Sequence, residues 1–197
     1  MTPTLARLHA EHANLTLLVR LLDDHASVTA TPPFGDLAVL VDTLYYLTHF
    51  PDVSHHPLED RIVEQLRRRQ VLPAGIADEI EAQHVTLAHQ GDALMRDLES
   101  AARGETLSWE IVSPNLRLYA ERLRHNMAVE ELILFPTALR VLEDADWQHI
   151  DAASETTQDP LFGALMDSRF RQLHAAIAAE AHCGCELAPD QYPEQEQ

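Results

Sequence analysis

Three histidines and two glutamates fall where aliphatic residues are expected. His12, His55 and His84 interrupt stripes that otherwise read Leu, Val and Ile, and Glu59 and Glu130 sit on the same inward faces. One such histidine alone is more readily explained by a hydrogen bond in a core. Five such residues together change the balance. Buried carboxylates without partners are costly, and imidazoles alone need not supply the missing charge. A pair of divalent cations would satisfy all five at once. Mixed imidazole and carboxylate ligation suits iron, with manganese or zinc as alternatives.

The elements that must position these residues are helices. Leu5, Leu8, His12, Leu15, Val19 and Leu22 recur at alternating steps of three and four, which predicts a bundle helix from Pro3 to about residue 26. Thr2 is its candidate cap. A loop is expected from Thr29 to Gly35, marked by Pro32-Pro33. Asp36 can cap a second helix whose stripe runs Leu37, Val41, Leu44, Thr48, Pro51, His55, Leu58, Ile62, Leu66. Pro51 and Pro57 lie inside that stripe, so a kink or break is expected near 50–57. Pro73 and Gly75 mark a turn. A third helix carries Ile80, His84, Leu87, Gly91, Leu94 and Leu98 and is expected to end at Gly104. The fourth is expected to open near Ser113-Pro114 and to carry Leu116, Tyr119, Leu123, Met127, Glu130, Leu134, Ala138 and Val141, with a bend at Pro136.

At about 100° per residue, His55 lies mid-face, His56 is swung roughly 120° away, Glu59 points in and Asp60 points out. His89 is nearly opposite His84, and His9 sits beside the first stripe. The chain is therefore read as all-α: a four-helix domain over 1–142, a helical extension over 143–182 and a polar, frayed tail over 183–197. Trp147 and Ile150 suggest a short helix. Asp159-Pro160 is expected to open another that carries Leu161, Leu165, Phe170, Leu173 and Ile177.

Composition removes several function classes. With 14 Lys plus Arg against 32 Asp plus Glu, the net charge of −18 repels phosphate backbones and anionic lipid. No nucleic acid or membrane partner is expected. No apolar run reaches transmembrane length, and the N-terminus lacks the pattern of a signal peptide. Only two cysteines occur, Cys183 and Cys185, so no disulfide scaffold is expected and a cytoplasmic location is. The segment His182-Cys183-Gly184-Cys185 could bind a soft metal or act as a redox pair, but its polar surroundings favour an incidental sequence. A ferritin-like site needs two Glu-x-x-His pairs, and only Glu81–His84 supplies one. No G-x-S-x-G motif supports a hydrolase.

Four segments resemble the hemerythrin-like, or HHE cation-binding, family. They are Glu11–Leu15, Tyr46–Asp60 with its H-x-x-x-E block, Glu81–His84, and Met127–Pro136 with its E-E-x-x-x-F-P block. The second and fourth are the more specific. The resemblance, which covers residues 1–142, implies an antiparallel up-and-down four-helix bundle around two non-haem irons joined by two carboxylates and an oxo or hydroxo bridge; the additional C-terminal helices rest on the spacing above. Carried over by residue, it implies His12, His55, Glu59, His84 and Glu130 as ligands. It also implies an open position for O2 or a related small ligand such as NO.

The chain departs from the family at one position. Many bacterial members place a histidine four residues before the last glutamate, where this chain has Asn126. His125 stands five before Glu130, a spacing that resembles the oxygen-carrying members. On a regular helix Asn126 points in and His125 out. Either a π-bulge re-aims His125, which is favoured here and completes the ligand set, or Asn126 occupies a weakened site. The extra third-helix histidine of the oxygen carriers is Ala88 here, which argues against a dedicated O2 store. Sensing, scavenging and iron handling remain. The alternatives are an enzyme that reduces peroxide or NO, an iron donor for metal-site repair, and a structural bundle with one zinc or no metal. The C-terminal helices are a covering layer or an oligomer contact, which leaves a homodimer open.

Overall fold

Residues 2–27, 33–103, 109–152 and 158–180 are described by the computed structural model. Pro3–Ala26 form α1. Thr2 Oγ1 accepts from Leu5 N at 3.3 Å, and Pro3 occupies the first turn, where its missing N–H costs nothing. Helix α2 covers Phe34–Phe50, α3 His56–Arg68, α4 Ile76–Ala102, α5 Trp109–Val129, α6 Phe135–Val141, α7 Asp144–Ala152 and α8 Arg171–Glu180. Gly75, with φ +85, supplies the left-handed residue in the turn before α4. No strand occurs among the described residues.

Two π-helical turns keep the second and fourth bundle segments continuous. Pro51–His55 joins α2 to α3, and Glu130–Leu134 joins α5 to α6. In each, an i→i−5 bond closes the turn: His56 N–H donates to Pro51 O, and Phe135 N–H donates to Glu130 O. Each bond immediately precedes a proline, Pro57 or Pro136. Proline has no N–H for the carbonyl four residues back and its ring collides with that carbonyl, so widening the turn relieves both faults. The break expected near 50–57 is thus an uninterrupted helix with one extra residue per turn.

The four segments α1, α2–α3, α4 and α5–α6 pack up and down. One apolar cluster holds Leu15–Leu22 of α1, Leu37–Phe50 of α2, Leu87–Leu98 of α4 and Trp109–Met127 of α5. The other holds Leu5 and Leu8 of α1, Leu58–Leu66 of α3, Ala77 and Ile80 of α4, and Leu134–Ala138 from the end of the second π-turn onward. Chain direction from one cluster to the other reverses at every successive segment, which makes neighbours antiparallel. Between the clusters lies a layer of buried polar side chains. Gly91 sits where α4 meets α2 and α5. A Cβ there would overlap Thr48 Cγ2 and press on Tyr119 Cε2 at 3.3 Å.

Several boundaries differ from expectation. Helix α2 starts at Phe34, with Pro33 rather than Asp36 at its cap position. Helix α5 is already under way at Trp109, with Pro114 inside it. Residues 160–167 are turns rather than helix. Asp159 Oδ1 accepts from Leu161 N and Phe162 N and Gly163 N–H donates to Asp159 O, so a single capped turn forms here, and regular helix begins only after Ser168–Phe170 wind a 3₁₀ turn into α8. Trp147 and Ile150 of α7 join the second apolar cluster, and Phe170, Leu173 and Ile177 join the first. Leu165 stays exposed. The expected helix end at Gly104, most of the loop before Gly35 and the Cys183/Cys185 tail lie outside the described residues.

Candidate metal centre

The polar layer gathers His12 from α1, His55 and Glu59 from the second segment, His84 from α4, and Asn126 and Glu130 from the fourth. All six are buried, and both glutamates are fully inaccessible. Two groups of side chains each bring their ligand atoms within 4.8 Å of one another: His12, His55 and Glu59; and His56, Glu59 and His84.

At one end of the layer His12 Nε2 lies 3.1 Å from His55 Nε2, 3.3 Å from Glu59 Oε1 and 3.4 Å from Glu130 Oε2. His55 Nε2 is 3.2 Å from the same Glu59 oxygen. At the other end His84 Nε2 lies 3.2 Å from Glu130 Oε1 and 3.6 Å from Glu59 Oε2. Each carboxylate therefore turns one oxygen to each end. Two donor atoms bound at about 2.1 Å to one cation, at a right angle or a tetrahedral angle, stand roughly 3.0–3.4 Å apart. The observed separations fall in or near that range.

Glu59 Oε2, Glu130 Oε2 and His56 Nε2 are buried with no hydrogen-bond partner. Such orphaned acceptors are rare, and three in one layer point to a cation that they would share. The donor set is nitrogen and oxygen without thiolate, which fits iron, manganese or zinc and disfavours soft metals.

The outer ring nitrogens explain why the inner ones face the centre. His12 Nδ1 is 2.9 Å from Glu131 Oε1, His55 Nδ1 is 2.7 Å from Glu11 Oε2, and His84 Nδ1 is 3.0 Å from Asp60 Oδ1. An ionised carboxylate only accepts, so each Nδ1 carries a proton. Each Nε2 lone pair is then free for a cation.

Without a cation, protons must balance the two buried carboxylates. Burial alone would push His12 down, but hydrogen bonds and charge from Glu130 and Glu59 raise it to about 10. Burial is likewise overcome at His84, which Asp60, Glu130 and Glu59 raise to about 10, and at His55, which Glu59 and Glu11 raise to about 9. Burial would lift Glu59, yet His55 and His12 hold it well below the usual carboxylate range.

His125 is not brought to the layer. Its side chain is 62% exposed, and its Nε2 lies 3.2 Å from Glu79 Oε1. The π-turn that could have re-aimed it begins at Glu130, after the histidine, so α5 is regular where it matters. Asn126 takes the inward position. Its Nδ2 donates to Glu130 Oε1 at 2.6 Å and to Gln83 Oε1 at 3.2 Å. Conversely, the regular 100° projection puts His56 on the outside, and the structure does not. His56 is 6% exposed, and its ring stacks on His84 with centroids 4.2 Å apart. Burial lowers its basicity despite the hydrogen bond to Asp52. The flanking Pro51 and Pro57 are the sequence signal that could have exposed the error.

A surface cleft of about 570 Å³ between α4 and α5, lined by Glu79, Gln83, Glu121 and His125 among others, reaches Gln83. It is thus one side chain away from Asn126. No helix among the described residues is long and apolar enough to cross a membrane.

The family model described as "Hemerythrin HHE cation binding domain" matches residues 4–138. No curated protein and no solved structure matches.

Proposed function

The chain belongs to the hemerythrin HHE cation-binding family, and we propose that its polar layer holds two non-haem irons that bind O2 or a related small ligand such as NO. The supporting observation is the splayed pair of carboxylates. Glu59 and Glu130 each offer one oxygen to His12 and one to His84, and each keeps one oxygen unpartnered. The two orphaned oxygens lie at opposite ends, Glu130 Oε2 toward His12 and Glu59 Oε2 toward His84, so a single cation would leave one of them unsatisfied. Two cations use all four.

His12 and His55 would hold the first iron and His84 the second, with Glu59 and Glu130 shared. The donors at each end are fewer than an octahedral iron accepts, which leaves room for a small ligand, as in other imidazole–carboxylate iron sites. When bound, the iron pair supplies the redox and Lewis-acid chemistry that captures such a ligand. The chain's own part is to fix the rings through Glu131, Glu11 and Asp60, and to keep bulk water out with the apolar clusters above and below. The α4–α5 cleft is the route that comes within one side chain of the layer.

The test is metal analysis of protein purified from iron-supplemented cells, followed by O2 or NO addition to the reduced form. Close to two irons per chain and a new near-ultraviolet or visible charge-transfer band are expected. Reversal of that band under vacuum marks a binder, whereas sustained turnover of peroxide or NO marks a catalyst. A colourless, metal-free and fully stable protein would end both.

A further inference from the structure

The two ends of the layer are unequal if only the residues named so far are counted. His12 and His55 face one end, and His84 alone faces the other. Asn126 does not repair this imbalance. Its amide donors are spent on Glu130 and Gln83, and its remaining amide oxygen is a neutral donor and a weaker ligand than imidazole for a mid-series transition metal.

We propose that His56 Nε2 is the second imidazole ligand of the His84 end, an inference that rests on the two-cation reading above. Three observations carry it. First, Nε2 is buried with no partner, while Nδ1 of the same ring lies 3.0 Å from Asp52 Oδ1. This is the arrangement of His12 with Glu131, His55 with Glu11 and His84 with Asp60: an outer nitrogen on a carboxylate and an inner nitrogen turned toward the layer. Second, His56, Glu59 and His84 each present a ligand atom within 4.8 Å of the other two. Third, the backbone departs from α-helix at this point. Neighbouring residues on a regular helix differ by about 100°, so a single point inside the bundle is not faced squarely by both. The π-turn over Pro51–His55 brings His55 to 2% exposure and His56 to 6%. Single π-turns inside α-helices recur at functional sites because they re-aim side chains in this way.

A packing role for His56, stacked on His84, is the competing explanation, and the variants are chosen to separate the two. His56→Phe preserves an aromatic ring against His84 and removes both ring nitrogens. His56→Ala removes the stack as well. Full-length wild type and variants are titrated anaerobically with ferrous iron alone, after circular dichroism has shown equal helix content. Wild type is expected to take two irons. Both variants are expected to take one with wild-type affinity and to bind the second at least tenfold more weakly. His12→Ala, at the opposite end, weakens the other iron instead. If His56→Phe binds as many irons as wild type with unchanged affinities, His56 is a packing residue and the inference is overturned while the two-cation reading stands. A wild type that binds no iron overturns both.

Discussion

Stripping the cation should make the protein sensitive to alkali. In the cation-free bundle, Glu59 and Glu130 are balanced by protons on His12, His55 and His84, whose basicities are raised to about 10, 9 and 10. A folded-state value above the unfolded 6.5 gives stability that is complete below pH 6.5 and is lost as pH climbs through the folded value. A ring raised from 6.5 to about 10 corresponds to about 4–5 kcal/mol, at about 1.36 kcal/mol per pH unit. The depressed Glu59 is the same attraction seen from its partner and adds nothing further in this window. One ring alone therefore approaches the whole stability of a domain of this size, about 5–15 kcal/mol. The assay is urea denaturation of chelator-treated protein at pH 6, 7.5 and 9, followed by circular dichroism. The midpoint should fall steeply from pH 6 to pH 9, and the iron-loaded protein should show a much flatter profile. Equal midpoints at pH 6 and 9 without cation would refute the idea that protons hold the layer together.

Two further outcomes are expected. His125→Ala should leave iron content and affinity unchanged, because its ring stands on the surface beside Glu79; loss of an iron, measured by elemental analysis, would restore it to the ligand set. Gly91→Val should destabilise the fold by about 1–3 kcal/mol in chemical denaturation, because the added atoms collide with Thr48 and Tyr119 across two interfaces. An unchanged midpoint would show that α2 and α5 can withdraw freely.

Much of the centre was legible from the chain. His12, Glu59, His84 and Glu130 sit in stripes whose apolar neighbours fix the inward face, so spacing alone locates them. His56 was not legible, because a projection at 100° per residue assumes that every turn is α-helical. The prolines that spoil the turn at 51–57 were visible, but the remedy, one extra residue in the turn, is a property of three-dimensional packing. The same assumption had the opposite effect at His125. A π-turn was invoked before Glu130, whereas the one that forms lies after it, next to Pro136, where a missing N–H demands it. The outer partners of the rings were also hidden. Asp60, read as outward, is indeed half exposed and still reaches His84. At the C-terminal end, periodicity over Leu161–Ile177 suggested one helix because an Asp159 turn leaves no trace in hydrophobic spacing.

The carboxylates behind the rings have a consequence for how such a protein could diversify. Glu131, Asp60 and Asp52 touch solvent while holding His12, His84 and His56. The centre is sealed, yet its electronic character can be adjusted from outside. Exchanging one of these acids for an amide would change how strongly an imidazole donates electrons without disturbing a single core contact. With the proposed irons bound, chains with identical interiors would in this way settle at different oxidation potentials, each tuned by a handful of surface substitutions.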